Sequence, residues 1–384
     1  MLLLLLSCFS PKLSPKPIVP QVRYRPEPSQ KNPILEILPD ATWDKGLEKA
    51  ADELLLQLRS PQARIPHQAI RIALARAGFP AQARFAKILN DGSFPKELVR
   101  ELLQDVGTEK VDLALRSCSY GDGTTLWLLA WAPHLIEIDP MPQTVPLDGS
   151  FSIRMEARKD QEAMLFIAPP DGMVDKSPLL SSASRGVPRM HIPGEYRYEV
   201  IVQSPQGPQV AALFSVFADI DIEAIPSISD KKVEVANPME AEVWLYDQVN
   251  RIRYERGLRP LARFEPFAEL AREHSAWMAN SGIVAHSIPG VTKGVQYHAQ
   301  RLFHPYAEHY ESVAAAQSAQ EALDIVISSP AHIQTLLCED CTHIAIGATI
   351  EPVLNRIPRL FVTWEMIRFP QGMSLRKDRF KRER

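Results

Sequence analysis

Residues 237–257 read NPMEAEVWLYDQVNRIRYERG, and this stretch decides the fold class of the C-terminal third. Asn237 can cap a helix, Pro238 suits its first turn, and Glu240 sits where a capping-box carboxylate reaches back. Ala241, Leu245, Val249 and Ile252 then recur at helical spacing, and Gly257 supplies the stop. Further on, a second helix is predicted from Pro266, with Phe267, Leu270, Ala271, His274 and Met278 on one face and an end at Gly282. Ser318-Ala319-Gln320-Glu321 opens a third helix, and Ser329-Pro330 a fourth that runs through Leu337. Strands are predicted at His343 to Ile350 and Leu360 to Phe369, where Leu360, Val362, Trp364 and Met366 share a face. Helices followed by strands in this order predict an α+β domain over residues 237–370.

Upstream of it there is room for more than one core, because 384 residues is about two to three times the usual domain size. Hydrophobic residues at 45% and charged residues at 23% exclude wholesale disorder and a polytopic membrane protein. A net charge of −3 argues against a generally basic nucleic-acid binder, and no nucleic acid is expected as a partner. Residues 42–134 read as a mostly helical or α+β region. Leu47, Ala51, Leu54 and Leu58 repeat at helical spacing, shorter helices are predicted at 67–77, 82–89 and 97–106, and TTLWLLAW (124–131) reads as a buried strand. Over 140–218 the pattern changes to period two. Phe151, Ile153 and Met155 alternate with polar neighbours, as do Tyr196, Tyr198, Val200 and Val202, and SPQGP (204–208) reads as a hairpin turn. Several short strands joined by Pro and Gly turns predict an immunoglobulin-like β-sandwich. Residues 219–236 read as a linker.

The N-terminus carries an export expectation. Leu2 to Leu6 followed by Ser7-Cys8 resembles the end of a secretory hydrophobic segment set against a lipobox over residues 1–8, which makes Cys8 the candidate lipidation site. The segment has no basic flank and is shorter than a full signal peptide. Residues 9–41 are rich in proline and polar residues and read as an extended stalk. Together these place the protein outside the cytoplasm, as a secreted, periplasmic or outer-surface lipoprotein, with a peripheral membrane tether through Cys8.

Histidine is the strongest compositional signal. Six of the ten histidines (His286, His298, His304, His309, His332 and His343) fall within 58 residues of the last domain. His332 stands at the third position of the fourth helix, where the positive helix end disfavours protonation and keeps the imidazole neutral. Glu311, in the apolar setting of Tyr310-Glu311-Ser312-Val313-Ala314, is a carboxylate that needs a partner. Histidines meeting a glutamate can form a divalent-metal site or an acid/base pair.

These residues also carry a resemblance. VNRIRYERGLRPL (249–261), LAREHSAWMANSG (270–282), AHSIPG (285–290), ESVA (311–314), SSPAHIQTLL (328–337) and THIAIGA (342–348) occur in the order of the CAP superfamily. This is the group of cysteine-rich secretory proteins, antigen 5 and pathogenesis-related proteins, also called the SCP domain. Residues 240–369 resemble a bacterial, multidomain member. The resemblance implies an α-β-α sandwich with a cleft lined by two histidines and one or two glutamates. Carried over by position these are His286, His332 and Glu311, with His286 and His332 as the ligands of a divalent metal such as zinc. The second glutamate has no counterpart that the motif order places. Tyr310 and Ala331 stand where relatives have glycine, which implies a tighter cleft. His274 is read as a core histidine, and His298, His304 and His309 stay outside the site.

Cys338-Glu339-Asp340-Cys341 admits a short disulfide, free thiols, or zinc with His343. Cys118 reads as a buried thiol, and the basic tail over 371–384 as a solvated terminus. The sequence holds no G-x-S-x-G and no HExxH. The leading expectation is an envelope protein that binds a lipid, a cell-wall glycan or an envelope protein in its His/Glu cleft. The alternatives are a hydrolase of envelope material, acting through a metal- or glutamate-activated water, and a structural or adhesion protein.

Overall fold

The computed structural model describes residues 23–24, 33–58, 60–61, 63–103, 110–139, 141–157, 162–171, 174–179, 184–186, 189–204, 207–225, 237–286, 308–352 and 358–369. The leucine run with Cys8, most of the proline-rich stalk, residues 226–236 of the second linker, His298, His304 and the basic tail lie outside the described residues.

In the N-terminal region, Arg23–Tyr24 (β1), Thr42–Trp43 (β2), Arg84–Asn90 (β3), Val111–Ser119 (β4) and Thr125–Pro133 (β5) form one sheet. Its order is β1-β4-β5-β3, with β2 also paired to β4. Helices Lys45–Gln57 (α1) and His67–Ala77 (α2) bury Leu47, Ala51, Leu54 and Ala73 against Ala114, Leu126, Leu128 and Ala130 on one face. On the other face Val99, from helix Lys96–Leu102 (α3), joins Leu113, Leu115, Trp127 and Leu129. Both faces of β5 are covered, so TTLWLLAW is almost unbroken in apolar residues. The region is thus layered helix and sheet rather than mostly helical, and the stretch 82–89, expected as helix, is mostly strand β3. Phe85, Ala86, Ile88 and Leu89 fit a helical spacing, but the backbone groups of buried β5 need a partner on each side. β3 supplies one, from Arg84↔Trp131 to Asn90↔Thr125.

The β-rich region that follows holds Ile136–Ile138 (β6), Thr144–Val145 (β7), Ser152–Ala157 (β8), Ala163–Ala168 (β9), Asp175–Leu179 (β10), Ser184–Gly186 (β11), Gly194–Ser204 (β12) and Gly207–Ala218 (β13). They form two sheets, β10-β9-β12-β13-β7 and β11-β8-β6. Ile153 and Met155 of the smaller sheet share a core with Leu165, Tyr198, Val200 and Val216 of the larger. β12 and β13 make a long hairpin that closes at Ser204↔Gly207, the place of the SPQGP turn.

In the C-terminal domain, helix Pro238–Glu255 (α4) starts on Asn237, whose side chain accepts the Glu240 N–H at 2.9 Å. Then come Ala262–Arg263 (β14), Glu265–Ser281 (α5), Glu308–Ala316 (β15), Ala319–Ser328 (α6), Pro330–Leu336 (α7), His343–Ile350 (β16) and Leu360–Arg368 (β17). The sheet order is β14-β16-β17-β15. Val362, Trp364 and Met366 of β17 pack with Leu245 and Val249 of α4, Leu323 and Val326 of α6 and Ile333 of α7. On the opposite face Ile367 packs with Phe267 and Leu270, and Phe361 with Met278, all from α5. The sheet therefore lies between α5 and a layer of α4, α6 and α7. Helix α5 comes so close to β16 at Gly347 that a Cβ there would stand 2.1 Å from the carbonyl carbon of Ala271 and 2.1 Å from the nitrogen of Arg272.

Charged side chains join the three regions. Arg64 pairs with Glu321, Arg71 with Glu195, and Arg197 donates to the carbonyl of Ile327. Glu199 of β12 is fully enclosed and accepts from the Ser329 hydroxyl at 2.8 Å and the Ala331 N–H at 2.8 Å. It thereby caps α7 from outside the domain. Among the described residues no helix is long and apolar enough to cross a membrane.

Candidate functional site

Glu311 sits on β15, the edge strand of the sheet, facing α5. Its Oε2 accepts from Nδ1 of His274 at 2.9 Å and its Oε1 from Nδ1 of His286 at 2.8 Å. His274 also donates through Nε2 to the carbonyl of Ala285 at 2.9 Å, and an acceptor at each ring nitrogen favours the doubly protonated ring. Burial opposes that charge, but the hydrogen bond and charge of Glu311 outweigh it and raise the His274 pKa. Burial alone would likewise push Glu311 up. The two histidine bonds prevail and hold it down at about 2.

His286, in the segment after α5, is the open member, its side chain 44% exposed. His332 approaches from α7, its ring centroid 6.0 Å from that of His286. Burial first, and then the neighbouring His286, push its pKa down to about 4, and its buried Nδ1 has no hydrogen-bond partner among the described residues. The structure therefore brings all three sequence-predicted residues together.

Behind them lies a second set that the motifs do not reveal. Glu365 of β17 stands directly across from Glu311 in the β15–β17 register and is completely buried. Burial, reinforced by the charge of Glu311, drives its pKa well above the ordinary range and favours its protonated form. Nδ1 of His309 lies 2.9 Å from its Oε2, and burial lowers the pKa of that histidine. His274 is thus no passive core histidine, and His309 joins the site's inner wall. The sequence marks Glu365 only as the one carboxylate of the strand LFVTWEMIR, on the face opposite the one assigned to the core, and does not place it across from Glu311.

Cys338 and Cys341 are joined by a disulfide, and His343 packs on Phe264 and Phe369 with its Nδ1 on Thr342. Cys118 is a buried free thiol. As for a metal, the orphaned Nδ1 of His332 and the unshared Nε2 side of His286 have suitable donor chemistry. Among the described residues, however, no group of three or more His, Cys, Asp or Glu side chains is arranged to hold a metal ion. Zinc sites usually take three or four protein ligands, so among the described residues His286 and His332 are fewer than such a site uses.

The His332 environment sets a pH dependence. Its folded pKa of about 4 lies below the ordinary histidine value of 6.5, so its contribution to stability is complete above pH 6.5 and is lost as the pH falls towards 4. Discounted for partial exposure, about 2 kcal/mol is expected to go over that window. Urea midpoints at pH 7 and pH 4.5 check this: the drop should be smaller in His332→Gln than in the wild type.

Residues 246–362 match the family model described as CAP: cysteine-rich secretory protein family. No curated protein matches the chain. Among solved structures, an extracellular protein containing an SCP domain from Bacillus anthracis is 20% identical, with a TM-score of 0.29, over 45% of this chain and 64% of that one. The chain thus spans less than two thirds of that relative. An outer surface protein of Borrelia burgdorferi is 17% identical, with a TM-score of 0.30, over 36% of this chain and 98% of that one. A cysteine-rich secretory protein of Staphylococcus aureus is 12% identical, with a TM-score of 0.27, over 57% and 80%. The sheet between α5 and the layer of α4, α6 and α7, the His286–Glu311–His332 cleft at its edge and the match over 246–362 agree: the C-terminal domain of this chain belongs to the CAP superfamily.

Proposed function

We propose that the protein is exported or surface-tethered and binds a ligand in the cleft between His286 and His332. The ligand would be a lipid, a cell-wall glycan or an envelope protein. The N-terminal and β-rich regions, the latter read as immunoglobulin-like, would hold the cleft away from a membrane to which Cys8 ties the chain. The observation that carries binding over hydrolysis is the state of Glu311. Both of its oxygens accept from histidines and its pKa is held at about 2, which makes it a poor general base near neutral pH. Glu365 is the complementary acid but is completely buried, so it cannot reach a substrate.

Native mass spectrometry of the full chain, purified from an exporting host, tests this reading. A co-purifying mass is expected in the wild type and should be lost in the His286→Ala/His332→Ala double variant. The same mass on both would place the ligand elsewhere, and no mass on either would favour the adhesion reading. Release of soluble fragments from cell-wall material, abolished by Glu311→Gln, would establish the hydrolase instead. In the same preparations, retained zinc is expected to stay below one ion per chain. Stoichiometric zinc that disappears in the double variant would restore the metal reading.

A further inference from the structure

Helix α2, strands β12 and β13 and the end of α6 meet around a cavity of about 70 Å³. One wall is apolar, formed by Ile70, Leu74, Phe79, Leu213 and Phe214, and the other carries His67, Arg71 and Arg197. These three polar residues keep partial exposure, so the cavity has a mouth. For comparison, an engineered cavity of about 150 Å³ holds benzene. A short alkyl chain with its polar end at the mouth is the scale of guest that fits.

The charge balance says which polar end. Arg71 is paired with Glu195, which also accepts from the Ser215 hydroxyl at 2.5 Å. Arg197 donates to the backbone carbonyl of Ile327 and forms no ion pair with any carboxylate among the described residues. Glu199 acts on Arg197, and Asp324 on Arg71, through charge at longer range, but among the described residues neither makes an ion-pair contact with its arginine. Glu199 is already engaged by the Ser329 hydroxyl and the Ala331 N–H, and Asp324 by the Gln320 side chain, while burial raises the pKa of each. Both guanidiniums remain charged near neutral pH, although burial lowers each pKa and Arg197 adds to the effect on Arg71. A guanidinium such as that of Arg197, set beside an apolar wall with no carboxylate in contact, is incompletely compensated, and an anion that brings its own apolar surface supplies the missing contact.

We propose that this cavity is a second binding site, distinct from the His/Glu cleft, for a short-chain monocarboxylate. Its carboxylate is received by Arg197 and Arg71, and its alkyl chain lies on Leu74, Phe79 and Phe214. Ser328 lies in the same wall, one residue before the Ser329 hydroxyl that Glu199 engages. A guest therefore also braces the junction between the β-rich region and the CAP domain.

Calorimetric titration of the full chain with sodium butyrate, with butan-1-ol as the neutral control, tests the site. Butyrate should bind with one-to-one stoichiometry and raise the melting temperature, while butanol of the same chain length should bind at least ten-fold more weakly. Arg197→Met should weaken butyrate at least ten-fold, Arg197→Lys should weaken it less, and His286→Gln should leave it unchanged. Equal binding of acid and alcohol, or no binding of butyrate to the wild type, overturns the proposal without needing any variant to fold. Butyrate binding that survives in Arg197→Met, or that is lost in His286→Gln, overturns it as well. The inference does not rest on the function proposed for the cleft, and the His286 variant separates the two.

Discussion

Replacing Gly347 with alanine is expected to unfold the CAP domain. The added methyl would stand 2.1 Å from backbone atoms of Ala271 and Arg272 in the middle of α5, and backbone cannot step aside as a flexible side chain can. Strand β16 is fixed by its ladder to β17, and α5 is fixed by Phe267, Leu270 and Met278 in the core, so the strain has no cheap outlet. A loss of more than about 4 kcal/mol is expected, the range kept for overpacked cores. Limited proteolysis of the full chain checks it: fragments from residues 237–370 should appear at protease levels that leave the wild type intact. A variant with the wild-type urea midpoint would show that α5 and β16 are not in this close contact.

The second large effect is expected at Arg253. This arginine is completely buried in α4, and its guanidinium donates to the carbonyls of Arg259 at 3.0 Å, Leu336 at 2.8 Å and Cys338 at 2.9 Å. Two of these carbonyls close the C-terminal end of α7, where the helix leaves its last acceptors without partners and a positive charge is favourable. Arg253→Met keeps much of the volume but strands three acceptors, the Leu336 carbonyl among them buried, so it should cost about 3–5 kcal/mol. Because α7 carries His332, the variant should also weaken the cleft at temperatures where the fold survives. Urea unfolding gives the first number, and loss of the co-purifying ligand below the melting temperature gives the second. A cost within about 0.5 kcal/mol of wild type, the range of surface substitutions, would remove Arg253 from this role.

What the sequence disclosed about the domain depended on how local the signal was. The Asn237 cap, the apolar stripe of α4 and the cap Ser318, which accepts the Glu321 N–H at 3.2 Å, are set within a few residues and could be read directly. His286, Glu311 and His332 were legible because their motifs keep a linear order. Glu365 and His309 were not, because what makes them part of the site is strand pairing. Glu311 and Glu365 are 54 residues apart and meet only through the antiparallel register. His274 looked like a core residue because it is one, enclosed on an apolar helix face. Its role follows from the two acceptors that face it. β3 was misread for a related reason, since its helical spacing is local and the demand of β5 for a neighbour is not.

Glu199 gives the chain an inheritance of its own. The carboxylate that finishes α7 is encoded 130 residues before Ser329, in a strand that any parsing by linkers assigns to another unit. A CAP domain cut free at residue 237 would leave behind the acceptor for the Ser329 hydroxyl and the Ala331 N–H, beside the very helix that presents His332. Grafting it onto a foreign scaffold would do the same. The β-rich region and the CAP domain are therefore expected to travel through evolution as a pair, with substitutions at Glu199 and Ser329 answering one another, and the borders of the fold are narrower than the borders of the heritable unit.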